Sequence, residues 1–396
     1  MAIGLVTDEG SVFVEKEVTE GVYVAESAGA KAIEVLSDGL EFTPTKELLE
    51  RDNRTSTVEK VPARVGQKSM AGSIPIEFRS APTEGDSPEA TDLYEALLGG
   101  KRSVTATTSD TGHTTSRVQL VDGDGAKYTV GDIVKIKEYA LNSANEDHVS
   151  PVTAVSTLGG DNYIDLLIPY GAAFTDNVEI APTTVYFHQS GAPSVSVTNY
   201  IGGKIREKAI GMRVTSAELS NFATGQLPQM SFSLEGLDYG REAGTPLFAP
   251  SYDTSLPPVV LCSKVYQDSN EFVLNNFGMT ITNTLGFLTS TASCSGKISS
   301  RITEIVTNWT ANPYMEDDDV DQFDKFDKNT AFSIFGSSQN PGATSKNEYL
   351  NVVSFYMPNC RTTESGTGDE DGIVTDVLAG QAYKNLGNDS VFLAFI

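Results

Sequence analysis

Short bursts of alternating apolar and polar residues run through the chain and predict strands. In residues 73–79, Ile74, Ile76 and Phe78 alternate with polar neighbours, and Glu77 falls on the opposite side. In residues 229–236, Met230, Phe232 and Leu234 point one way while Ser231, Ser233 and Glu235 point the other. A period of two with one apolar side marks a strand that packs one face on a core and leaves the other in water. Segments 11–18, 194–200 and 211–220 share the pattern. Between Val214 and Ala217 the apolar parity changes, which predicts a bulge.

One helix interrupts this β pattern. Residues 91–98 place Leu93, Ala96 and Leu97 on one face, Thr91 or Asp92 can cap the start, and Gly99 with Gly100 stops the run. It is short, so docking on a sheet must stabilise it. Leu36 to Lys68 is polar, lacks a sustained period and reads as a long connection, functional or disordered. From 114 to 190 the turns become denser and the strands shorter, which predicts an inserted small β-barrel module. Pro246, Pro250, Pro257 and Pro258 mark 246–258 as a linker. Beyond it, 259–265, 277–284, 351–359 and 391–396 resume the strand pattern. The pair 212–220 and 229–236 resembles 277–284 and 351–358 in length and alternation, a hint of internal duplication.

Composition narrows the function. The chain has 396 residues and a formal net charge of −25, which excludes a basic surface built to grip phosphates. No secretory leader and no long apolar run is evident, so synthesis in a cytoplasm is expected, with no membrane partner. Cys262, Cys294 and Cys360 are odd in number and widely spaced, as buried reduced thiols would be.

Catalytic or metal chemistry finds no support. His113, His148 and His188 are isolated, expected on loops or in solvent, and no phosphate-binding glycine motif is present. The acidic runs at 316–321 and 368–372 lack calcium-loop spacing, and Asp122-Gly-Asp-Gly is a tight turn. No enzyme, no metal and no cofactor is expected.

The ordered set of segments resembles the tail tube, or major tail, proteins of long-tailed bacteriophages. The residues carrying the likeness are 40–44 with the loop 51–57, 73–78 leading to 93–99, and 211–216 running into 231–239. In the later half they are 257–261, 349–359, 371–373 and 388–395. The resemblance implies a mostly β fold, a small β-sandwich with a short flanking helix; this chain departs from the family's usual single domain by having two tail-tube-type β-sandwich domains (1–113 with 191–245, and 259–396) plus the inserted module at 114–190. It also implies a structural virion protein, made in the host bacterial cytoplasm, whose rings stack into a hollow tail tube. DNA would pass through that tube during ejection without specific binding. An alternative of different class is another virion-surface or adhesive β-sandwich.

Family subunits usually form hexamers, so two domains per chain favour a pseudo-hexameric trimer over a hexamer. Tail tip, terminator and tape-measure proteins are the implied partners besides the chain itself. Strand alternation makes Glu77, Ser231, Ser233 and Glu235 candidates for the lumen, with Thr280 and Thr282 as counterparts. Lys46, Glu47, Glu50, Arg51 and Arg54 are candidates for ring-to-ring contact.

Overall fold

The computed structural model describes residues 9–53, 58–261, 263–315, 321–342 and 345–396. The fold is mostly β, with large sheets, a half-barrel and few helices. In chain order it runs β1 (Ser11–Lys16), β2 (Glu41–Arg51), β3 (Val61–Glu77), α1 (Thr91–Leu98) and β4 (Gly99–Val104). Next come β5 (Thr107–Thr108), β6 (Arg117–Leu120), β7 (Ile133–Ile136), α2 (Glu138–Leu141), β8 (His148–Leu158), β9 (Asp161–Leu166) and β10 (Glu179–Ile180). Then follow β11 (Thr183–His188), β12 (Val195–Ile201), β13 (Ile205–Ala223), β14 (Gln229–Gly236) and β15 (Asp238–Ala243). The rest is β16 (Lys264–Gln267), β17 (Asn270–Glu271), β18 (Leu274–Thr289), β19 (Lys297–Pro313), α3 (Asp321–Asp327), β20 (Phe332–Gly342), β21 (Ser345–Glu370), β22 (Ile373–Ala382) and β23 (Phe392–Phe395).

The main element is a continuous antiparallel run of eight strands, β2–β3–β14–β13–β18–β19–β22–β21. Its apolar side covers the principal core, where Ile74, Ile76, Phe232, Met279, Ile281 and Trp309 are fully or almost fully buried. The first four strands and the last four repeat each other strand by strand. Ser73 lies opposite Glu41 on one side and Ser233 on the other, while Thr310 lies opposite Gly278 and Ala379. Irregularities coincide too. β13 slips between Val214 and Ser216, and β21 slips at the matching place, between Thr362 and Glu364. The bulge expected from the parity change thus falls at Thr215.

The duplication differs from the one the sequence suggested. β18 is not the counterpart of β13 but its neighbour, with Ser216 opposite Thr282 and Glu218 opposite Thr280. β13 and β14 correspond instead to the far half of β21 and to β22. Alternation alone cannot choose between such matches, because every half-buried strand carries it.

A second layer closes the core. β1, β12, the first half of β13 and β15 pair with one another, while β4–β11–β23–β21–β20–β16 forms the remainder. α1 sits inside this core, and Tyr94 makes ring contacts with Tyr186, Phe232 and Phe395 at 4.8–5.3 Å between centroids. Its N-cap is Ala90, without a side-chain cap, rather than Thr91 or Asp92. Burial of Leu93, Tyr94, Ala96, Leu97 and Leu98 holds it instead. Gly99 ends it at φ 88°, a left-handed conformation that costs glycine nothing.

The six-stranded curled sheet, ordered β5–β10–β7–β8–β9–β6, comes from residues 107–180. Its outer strands meet at the Ser109–Leu120 bridge, and it has its own core around Val118, Val134, Ile136, Val152 and Ile164. β11 lies within 114–190 yet belongs to the large sheet, between β4 and β23. Residues 246–258 contain no strand but are anchored: Ser255 Oγ donates to the Ser80 carbonyl at 2.6 Å, and Arg79 Nη1 donates to the Ser255 carbonyl at 3.0 Å.

Candidate functional site

The solvent side of the eight-strand run is mostly polar, with Val306 opposite Thr282 and the exposed Val377 among its few apolar members. Ser231, Ser233, Thr280 and Thr282 share it, joined through Ser216 and Glu218 of β13. Asn308, Thr310 and Gln381 extend it across β19 and β22, and Glu41, Thr43 and Thr45 extend it across β2. Ser233, Glu218, Thr282, Asn308 and Thr310 are exposed. The sequence reading missed the residues of β13, β19 and β22 because placing them requires the β13–β18 pairing, which has no local signature.

Glu77 and Glu235 are less available than their Ser and Thr neighbours. Glu77 lies 3.7 Å from Arg79, a buried guanidinium that also pairs with Glu34 and Glu89 at 2.6 and 3.0 Å. Burial raises the Glu77 pKa above the usual carboxylate range, and nearby Glu34 and Glu89 add to the effect against the attraction of Arg79. Glu235 is paired with Lys297 at 3.3 Å, and that ammonium lies 3.7 Å from the Phe287 ring centroid.

The segment 36–68 is largely the β2–β3 hairpin rather than a loop. Its ladder holds Lys46 opposite Lys68, Leu48 opposite Val65 and Leu49 opposite Arg64. Lys46, Glu47, Glu50 and Arg51 are exposed on β2, whereas Arg54 lies outside the described residues. Leu48, Leu49 and Val65 are each about half exposed (56, 50 and 53 %), so the distal arm has no covered face. That is why no period of two survives there.

The two halves are also joined by a polar cluster. Arg213 Nη2 pairs with Glu20 at 3.0 Å, Arg301 Nη1 pairs with Glu20 at 2.8 Å, and Arg213 Nε donates to Ser300 Oγ at 2.8 Å. Burial acts against ionisation of Glu20, but the Ser300 hydroxyl, Arg213 and the Ser300 N–H outweigh it and hold its pKa below the ordinary value.

Among the described residues, no group of three His, Cys, Asp or Glu side chains is placed to hold a metal. Of the histidines expected on loops or in solvent, His113 lies on a loop with its ring buried, and His148 and His188 stand at the ends of strands. The His113 side chain is 1 % exposed, accepts the Gln119 N–H at Nδ1 and donates from Nε2 to the Asp110 carbonyl at 2.7 Å. His148 donates to the Ile168 carbonyl at 2.9 Å, and burial lowers its pKa to about 4. His188 is half-buried, and desolvation lowers its pKa too. Cys360 is buried and its thiol is pushed far above the usual range, whereas Cys294 is exposed, against expectation, and Cys262 lies outside the described residues. Gly123, with φ 89°, opens a 3₁₀ turn at Asp124–Lys127, as the Asp-Gly run predicted. Asp371 and Gly372 form the two-residue turn between β21 and β22, while 316–320 lie outside the described residues.

A family model described as phage tail tube protein matches residues 7–382. The chain belongs to the phage tail tube family. Tail tube proteins are structural components of the virion tail, not an enzyme class. No match was found among curated proteins. Among the described residues of this tail tube chain, no helix is long and apolar enough to cross a membrane.

Proposed function

We propose that copies of this chain close into rings, that the rings stack into the tail tube, and that the polar side of the eight-strand run faces the channel through which DNA leaves. The carrying observation is that continuous face. It is lined mainly by Ser, Thr, Asn, Gln and Glu, with Val306 and Val377 among them and Arg361 as the basic residue at its β21 end. A wall poor in Lys and Arg gives a polyanion few ion pairs to break at each step, so passage meets little electrostatic friction.

Ring size follows from strand number. Eight strands about 4.8 Å apart and tilted by roughly 40° occupy about 50 Å of circumference. Three copies close at a backbone diameter of about 50 Å, which leaves room for a duplex once side chains are added. Two structurally equivalent halves per chain make such a trimer pseudo-hexameric, which we favour over a hexamer of chains. Each half serves as one tail-tube unit, and the module at 107–180 is an insertion between the adjacent strands β4 and β11 that projects away from the channel.

The β2–β3 arm serves as the ring-to-ring contact, because its exposed Leu48, Leu49 and Val65 lie among the charged Lys46, Glu47, Glu50 and Arg51. Tail tip, terminator and tape-measure proteins would meet the ends and lumen of the same tube. The test is negative-stain microscopy of the purified chain beside a variant in which 47–67 is replaced by Asn-Gly. The full chain should form hollow tubes, and the trimmed one rings or single subunits. Normal tubes from the trimmed chain would refute the arm's role, and absence of tubes and rings from both would refute the reading itself.

A further inference from the structure

Among the described residues, Lys135 is the one buried lysine, and neither the polar strand face nor the β2–β3 arm uses it. It stands on β7 opposite Val149 of β8, so Asp147 is its diagonal neighbour on the same side of the pair. Diagonal positions of an antiparallel pair lie about 7–8 Å apart, a span that a lysine and a short carboxyl bridge with their side chains. The two side chains are 2 and 3 % exposed, and Lys135 Nζ lies 3.9 Å from Asp147 Oδ2. Glu84, from the segment between β3 and α1, completes a triad: Lys135 Nζ donates to its Oε1 at 2.8 Å and to the Tyr349 carbonyl at 2.6 Å.

The two carboxyl groups are held in different states. Burial raises the Asp147 pKa, against the attraction of Lys135 and the N–H groups of Tyr139 and Tyr349, and so favours its neutral acid. Burial acts on Glu84 in the same sense, but Lys135 and Lys137 outweigh it and keep Glu84 ionised. A neutral carboxyl is the form an amine attacks, and an ionised carboxylate beside an ammonium is the group that deprotonates it. The Tyr139 N–H donates to Asp147 Oδ1 at 3.1 Å and the Tyr349 N–H donates to Oδ2 at 3.4 Å, so donors already stand where negative charge would develop.

We propose that Lys135 and Asp147 condense in the folded chain to an amide cross-link, with Glu84 as the general base. Glu84 takes one proton from the Lys135 ammonium. The freed amine attacks Cγ of Asp147, the C–N bond forms, and the C–O bond to the hydroxyl breaks. That hydroxyl leaves as water with a second proton from the nitrogen. The proton on Glu84 passes to solvent, which its 32 % exposed side chain reaches. An ammonium and a carboxylic acid thus become an amide, a water and a released proton, with no oxidant or co-reactant. Holding the two groups together supplies the high effective concentration that condensation in water lacks, and the neutral amide removes an ammonium from the interior.

The link closes a covalent loop over 135–147 and makes rigid the seat of β21 on the inserted module. There the Asp147 N–H donates to the Asn347 carbonyl at 2.8 Å, Asn347 Nδ2 donates to the Ser143 carbonyl at 3.2 Å, and the Tyr349 hydroxyl donates to Glu146 at 3.0 Å. The bond is internal to one chain and does not depend on ring formation.

Mass spectrometry of the full-length chain, unfolded before measurement, tests this without any variant. The intact mass should lie one water below the sequence mass. Trypsin should leave the bond after Lys135 uncut and yield a branched peptide joining Lys135 to Asp147. Lys135→Arg keeps the charge, lacks the attacking amine and should return the full mass, which separates the link from water loss at an Asp-Gly turn. Glu84→Gln should form the link about a hundredfold more slowly, followed as the mass shift grows after refolding. An intact mass equal to the sequence mass, with Lys135 and Asp147 recovered in separate peptides, overturns the proposal and leaves an ion triad. A water loss that persists in Lys135→Arg overturns it too, and an unchanged rate in Glu84→Gln overturns the assignment of the base.

Discussion

Asn283 donates from Nδ2 to the Leu97 carbonyl at 2.9 Å and to the Val214 carbonyl at 3.1 Å. One buried amide from β18 thereby satisfies the end of α1 and a carbonyl of β13 together. The second half thus supplies the donor that two carbonyls of the first half share.

Replacing Asn283 by Leu should leave both carbonyls buried without that donor, at a cost of about 1–3 kcal/mol. Equilibrium denaturation in urea should show the loss as a lower midpoint with unchanged slope, since the halves share one core. A split into two separate transitions would show that the joint is weaker than described.

His148 gives a pH signature. Its folded pKa of about 4 lies below the ordinary 6.5, so the neutral ring is favoured in the folded state. The associated stability is present above pH 6.5 and is lost as pH falls towards 4, by up to about 3 kcal/mol. His148→Gln keeps a donor for the Ile168 carbonyl and removes the titration. The stability difference between the two proteins, measured from pH 7 to pH 4, should shift in favour of the variant. A constant difference across that range would contradict the burial of a neutral ring.

On the proposed channel face, Ser233→Lys with Thr282→Lys tests the lumen assignment better than reversing Glu77 or Glu235, which already hold Arg79 and Lys297. Tubes should assemble, and DNA release should slow at low salt and recover as salt rises. Unchanged release at both salt concentrations would move these residues off the channel.

The legible parts of this fold are those where a single copy covers one side of a strand. Met230, Phe232 and Leu234 alternate cleanly because the core lies on one side and water on the other. The parity slip at Thr215 was readable for the same reason. The β2–β3 arm was not, because Leu48 and Val65 stand in solvent in the single chain and only a neighbour would give them a period. Nor was the β13–β18 pairing, where Ser216 meets Thr282 across a segment of prolines and loops. Long-range pairings are set by the whole core, not by either strand. His113 lies on a loop as expected, but its buried ring was not legible, nor was the place of His148 at the start of β8, because a lone histidine carries no trace of the carbonyl that will bury it.

Electron cryomicroscopy of assembled tubes tests the central claim most directly, since it shows ring symmetry and channel lining together. The account predicts three chains per ring, six quasi-equivalent units around the channel, and Ser233, Thr282 and Thr310 facing inward. Six chains per ring, or a channel wall formed by the other layer with these residues turned away from it, would contradict it.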